Sequence, residues 1–275
     1  MQHRESNNLI YPKPTNACGQ VAKSRLGLMS ALILIAFIVL AIWIQRVNPL
    51  VLTDDGRAQL ESVFTSSRLK PWDLIGTIAY AVYGFLTAKR LQYGLWGAFI
   101  LTLLPAVGGG VVRDLLIGGE RLPLFIFNDP SYLIAILAVL FVGVSVRPKW
   151  PSKLLIVADS IGLATFAVIG TRVALLAELP WYWWPISAAL TCTGGGILMD
   201  VITAHEPKVF TGEPYEEIAY GGGFLLTILW FLQNQLFGRD ALILMPILVA
   251  WLSMFSLRLL VVRKGWRSWR LTNDS

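Results

Sequence analysis

The chain has 275 residues, of which 55% belong to the AVILMFWYC set and only 15% are charged, where soluble domains run nearer a quarter charged. With a mean hydropathy of +0.61 and several apolar runs beyond 18 residues, this excludes a water-soluble single domain and predicts a polytopic helical membrane protein. The net charge of +6 is not a nucleic-acid footprint, because the basic residues fall mainly in short loops and the tail, as positive-inside sorting predicts.

Residues 1–25 are polar, contain Pro12 and Pro14, and read as a tail. An apolar run follows, bounded by Lys23 and Arg25 on one side and Arg46 on the other. No small-x-small cleavage pattern follows it and the preceding tail is long for a signal peptide, so residues 26–45 are read as an uncleaved anchor helix. Residues 46–71 form a mixed-charge extracytoplasmic connector. Seven further spans are expected at about 72–88, 93–118, 131–146, 154–176, 182–203, 218–237 and 241–262. Residues 263–275 then form a basic tail. Trp150 and the cluster from Trp181 to Trp184 sit at expected span ends, where aromatic belts form. Cys18 and Cys192 have neither a disulfide partner nor metal-ligand spacing and read as inert thiols.

Orientation follows from charge. The N-terminal tail, the loops after core helices one, three and five, and the C-terminal tail together carry fourteen Lys and Arg residues; the other side carries seven. The richer side is the cytoplasmic one, which places both termini there.

An internal repeat organises the core. Asp73, Gly76, Tyr80 and Gly84 align with Asp159, Gly162, Phe166 and Gly170 at an offset of 86. The triplet Gly108, Gly109, Gly110 aligns with Gly194, Gly195, Gly196, and Asp114 with Asp200, at the same offset. Pro123 and Pro207 follow at 84, and Tyr132 and Tyr215 at 83. Each copy (72–146 and 154–237) holds three spans, an odd number, so the second must enter the membrane from the opposite side. The expected fold is therefore all-α: two inverted three-helix repeats plus a seventh helix outside the symmetry, with an extra N-terminal anchor helix.

Three adjacent glycines should break a helix. Two broken helices around a dyad would offer free carbonyls to a cation, or carbonyls and amides to a zwitterion. The competing reading is that the glycines only let helices pack closely. Arg113, Asp114 and Asp200 are charged groups inside expected spans, which are costly there and usually functional. The alternative for Arg113 is an ion pair that locks the bundle. Asp73 and Asp159 read as helix caps. Thr102, Thr191 and Thr193 either line a polar path or bond their own backbone. The third triplet, Gly221 to Gly223, reads as packing, and Glu213, Glu216 and Glu217 as a solvated loop face. No Walker-type, Gly-x-Ser-x-Gly or His-Glu-x-x-His motif occurs. No enzymatic activity, metal site or cofactor is expected.

These motifs resemble the bacterial branch of the trimeric intracellular cation channel family, also described as a glycine-transporter-domain family of inner-membrane proteins. The resemblance rests on Gly76, Thr77 and Gly84, the first triplet with Val111, Val112, Arg113 and Asp114, Pro123 and Tyr132, and on their counterparts in the second copy. It covers about residues 72–262. It implies seven core helices, a homotrimer, and one pore per protomer opened at the two triplets, with potassium or sodium as permeant ions. It also implies a multi-pass protein of the bacterial inner membrane. Met199 stands where the first copy has Arg113, so any charge-dependent gate there exists only once. Two rival functions remain: a secondary transporter of a small zwitterion such as glycine, and a non-transporting scaffold.

Overall fold

The computed structural model describes residues 70–118, 129–145, 151, 153–210, 212–237 and 244–268. The anchor helix expected at 26–45, nearly all of the connector, and Pro123 lie outside the described residues. Among those described there are seven α-helices and no strand. They are α1 (Lys70–Arg90), α2 (Leu95–Ile117), α3 (Pro130–Ser145), α4 (Leu154–Leu176), α5 (Trp184–Ile202), α6 (Glu216–Phe237) and α7 (Leu244–Lys264). Helices α2, α4, α7 and the stretch Trp181–Ile202 that holds α5 are long and apolar enough to cross a membrane. A 3-10 turn at Trp181–Trp183 leads into α5, and another at Lys208–Phe210 lies between α5 and α6.

Local chemistry sets the ends. Asp129 caps α3: its Oδ1 accepts from the Ser131 amide at 3.0 Å, and Pro130 occupies the first helical position, where a missing amide hydrogen costs nothing. α2 closes on Gly118, whose φ of 66° lies in the left-handed region that glycine tolerates. Its N–H donates back to the Asp114 carbonyl.

The two copies of the repeat meet through reciprocal contacts. Gly76 packs against Phe166, and Gly162 packs against Tyr80; each contact is the other with the copies exchanged. Gly84 lies on the Leu101 carbonyl and Pro105, while Gly170 lies on the Ser187 carbonyl and Thr191. An added Cβ on Gly108 would stand 3.2 Å from Gly195 Cα, and one on Gly194 would stand 3.1 Å from Gly109 Cα. Such exchange is what a two-fold relation between the copies requires.

The seventh helix lies outside the two copies, yet one ion pair carries the 86-residue spacing on to it. Arg172 of α4 pairs with Asp73 of α1. Arg258 of α7 pairs with Asp159 of α4. Both partners are shifted by 86, so the ion pair between α1 and α4 recurs between α4 and α7.

The helix break expected at the triplets is absent: α2 and α5 each run through theirs as one helix. Glycine costs about 1 kcal/mol in an exposed helix. Here Gly108, Gly109, Gly110, Gly194 and Gly195 are buried, and the missing side chains let two backbones touch. Close packing is what the first two glycines of each triplet provide. Gly222 and Gly223 serve packing too, against Met254 and against Ala188 and Pro185.

Candidate functional site

The crossing of α2 and α5 is the centre of the site. A Cβ on Gly109 would overlap the Thr191 carbonyl, and one on Gly195 would come within 2.7 Å of the Leu104 carbonyl and 2.8 Å of the Pro105 carbonyl. The third glycine of each triplet does something else. Gly110 lines one cavity and Gly196 another; nothing stands within 4 Å of a Cβ placed on Gly196.

The two cavities are built from equivalent residues. The first, about 180 Å³, includes Asp73, Gly110, Asp114 and Tyr132 in its wall. The second, about 20 Å³, includes Asp159, Gly196, Asp200 and Tyr215. Each wall also takes residues from the other copy, Phe166, Arg172 and Thr191 in the first cavity and Tyr80, Tyr83 and Pro105 in the second.

In the first cavity, Arg113 is 5% exposed and Asp114 2%. Arg113 Nε and Nη2 each lie 2.8 Å from Asp114 Oδ1. Arg113 thus pairs with its own neighbour on α2, and this pair ties no second helix to it, unlike the bundle lock given as the alternative. Its Nη1 is buried without a hydrogen-bond partner, as is Asp73 Oδ1. Asp73 Oδ2 lies 3.5 Å from Arg172 Nη1 and accepts from the Tyr132 hydroxyl at 3.3 Å.

In the second cavity, Asp159 Oδ2 accepts from Arg258 Nη2 at 2.9 Å and Nε at 3.2 Å. Arg258 Nη1 reaches Glu213 at 2.9 Å. Tyr215 donates to Asp159 Oδ1 at 3.1 Å. Tyr80 has one proton for two acceptors, the Cys192 carbonyl at 3.0 Å and the Tyr215 oxygen at 2.8 Å. Asp200 Oδ2 accepts from the Lys208 amide at 3.3 Å.

Several expectations change. Asp159 does not cap a helix: it lies in the second turn of α4, buried in the Arg258 pair. Glu213 is not a solvated loop residue but a partner of Arg258. Thr102, Thr191 and Thr193 all bond carbonyls four residues back, although Thr191 and Thr193 also line the cavities. Arg172, Arg258 and Lys208 escaped sequence reasoning. The two arginines had a signal, since both are charged residues at the repeat offset in apolar helices. Lys208 had none, because it looks like any loop lysine.

The sequence model of the family described as glycine transporter matches residues 71–148 and again 156–231. A UPF0126 membrane protein of Vibrio cholerae is 35% identical over 173 residues, 61% of this chain and 70% of that protein. The UPF0126 inner membrane protein YadS of Escherichia coli is 33% identical, over 56% of this chain and 74% of its own length. Among solved structures, the TRIC trimeric intracellular cation channel orthologue from Rhodobacter sphaeroides superposes with a TM-score of 0.65 at 26% identity, covering 73% of this chain and 100% of that one. A prokaryotic TRIC channel crystallised in 0.5 M KCl superposes with a TM-score of 0.62 at 25% identity, covering 72% and 97%.

Proposed function

This chain belongs to the glycine transporter family, and on that premise we propose that it is a channel passing monovalent cations such as potassium and sodium. The path runs within each protomer, through the first cavity, past the glycine crossing and into the second cavity. The observation that carries the reading is the pair of equivalent cavities, each lined by carboxylates and each bordered by the third glycine of a triplet at one backbone crossing. Each contains carboxylates buried among apolar helices, an expensive arrangement that marks ion paths in membranes. The likeness to TRIC cation channels supports the same reading.

Charge balance favours monovalent ions. In the first cavity Asp73 and Asp114 are offset by Arg113 and Arg172. No surplus of carboxylates is left there to hold a divalent ion, which needs several oxygen ligands. The copies lie inverted in the membrane, with both termini in the cytoplasm. The first cavity then faces outward and the second inward. The assembly is a homotrimer, as in the TRIC relatives that are described as trimeric.

A second reading has its own observation. Arg113 Nη1 and Asp73 Oδ1, both without hydrogen-bond partners, border the same cavity and would suit the carboxylate and ammonium of a small zwitterion. The two readings separate in liposomes holding the purified protein. A channel gives potassium flux that does not saturate, and no glycine counterflow. Saturable glycine counterflow without potassium flux reverses the choice.

A further inference from the structure

Resting on the cation pathway above, we propose that the second cavity is a monovalent-cation site and that the Lys208 ammonium is its tethered occupant, blocking the path from within the chain. The two cavities have equivalent walls, yet one encloses about 180 Å³ and the other about 20 Å³. Lys208 forms part of the second wall. The position that matches it in the first copy, counted from Pro123 and Pro207, is Leu124.

The surroundings of the ammonium are those a weakly held cation seeks. Nζ lies 3.7 Å from Asp159 Oδ1, 4.6 Å from the Tyr83 ring centre and 5.7 Å from that of Tyr215. A carboxylate oxygen and two ring faces serve a potassium ion as they serve an ammonium. The Asp200 carboxylate, through the Lys208 amide, fixes the turn from which the side chain reaches in. Asp200 is therefore a positioning residue.

Charge points the same way. Without Lys208, the lining of the second cavity carries Asp159, Asp200 and Glu216 and, among the described residues, no basic side chain, with Arg258 behind it on Asp159. The cavity would then be net negative and would draw in a cation. The first copy meets this need with Arg113, clamped on its helix at 2.8 Å from Asp114. The second copy has Met199 there and brings its positive charge from a loop instead. That charge stands 3.7 Å from Asp159, a longer contact than the Arg113–Asp114 pair, on a side chain 27% exposed. Burial by itself would lower the proton affinity of Lys208, but Asp159 and Tyr83 hold it above the ordinary lysine value, so the amine stays charged.

The test is potassium flux in liposomes holding full-length protein, comparing wild type, Lys208→Gln and Lys208→Arg. Lys208→Gln is expected to raise the initial flux at least several-fold, and Lys208→Arg to stay near wild type. A second variant removes folding from the question. Lys208→Cys, made together with Cys18→Ser and Cys192→Ala, is measured in one preparation before and after an ethylammonium methanethiosulfonate. Flux should start high and fall when the positive charge is restored, while a neutral reagent of similar size leaves it high. Equal flux in wild type and Lys208→Gln, with no response to the charged reagent, overturns the tethered cation and leaves the pathway standing. Absence of potassium flux from every variant overturns the pathway, and the tethered cation with it.

Discussion

Arg258 and Arg172 make the same pairing in two very different settings. Arg258 is 2% exposed and binds Asp159 and Glu213, each at 2.9 Å. Arg172 is more open and stands 3.5 Å from Asp73. Removing one partner of a buried pair strands the other charge, at a cost of about 3–5 kcal/mol. A looser, partly solvated pair strands its partner less completely and costs less to break. Arg258→Met should therefore lower the thermal midpoint in detergent strongly, and Arg172→Met only slightly. Equal shifts would contradict the assignment of Arg258 as the tie between α7 and α4.

Asp129 gives a prediction with a pH sign. Hydrogen bonds from Lys70 and Ser131 hold its carboxyl down at about 2. A folded-state value below the unfolded one, about 3.9, adds stability that is complete above the unfolded value and lost as pH falls toward 2. Asp129→Ala should thus destabilise α3 by about 1 kcal/mol at pH 7. The difference between the two proteins, followed by thermal unfolding, should stay constant from pH 5 to 8 and shrink only below pH 4.

At the scale of the element, the α2–α5 crossing divides each triplet by role. Gly109→Ala drives a methyl into the Thr191 carbonyl; overpacking of this kind costs about 1–3 kcal/mol. Gly196→Ala meets open space and gains helix propensity of up to about 1 kcal/mol. The first variant should lower the thermal midpoint, and the second should hold or raise it. Loss of flux in a Gly109 variant would therefore report on packing, while Gly196→Ala reports on the cavity.

The repeat was legible in the sequence because the offset of 86 recurs in glycines, aspartates and aromatic positions alike. All seven helices lie where the apolar runs are, with ends moved by up to three residues. What the sequence misreported was the state of the triplets. Propensity measured in water counts against glycine in a helix, but a bundle rewards it wherever two backbones must touch. The ion pairs were hidden for another reason. Asp73 and Arg172, like Asp159 and Arg258, are 99 residues apart, and only the fold brings them together. Lys208 was counted as a loop charge, and no local pattern reveals a loop side chain that turns inward.

At the scale of the molecule, two copies of one unit cross at a backbone contact and leave a polar cavity on either side. The cavities differ in volume, about 180 Å³ against 20 Å³, and in how each is supplied with positive charge. In the proposed function both lie on one ion path. The most direct measurement is single-channel recording of the purified protein in planar bilayers under a potassium chloride gradient, with wild type and Gly196→Ala side by side. Channel openings are expected whose reversal potential follows potassium, with a smaller unitary conductance in Gly196→Ala and a thermal midpoint held or raised. Unitary conductance identical in the two proteins, or a reversal potential that follows chloride, would contradict that path.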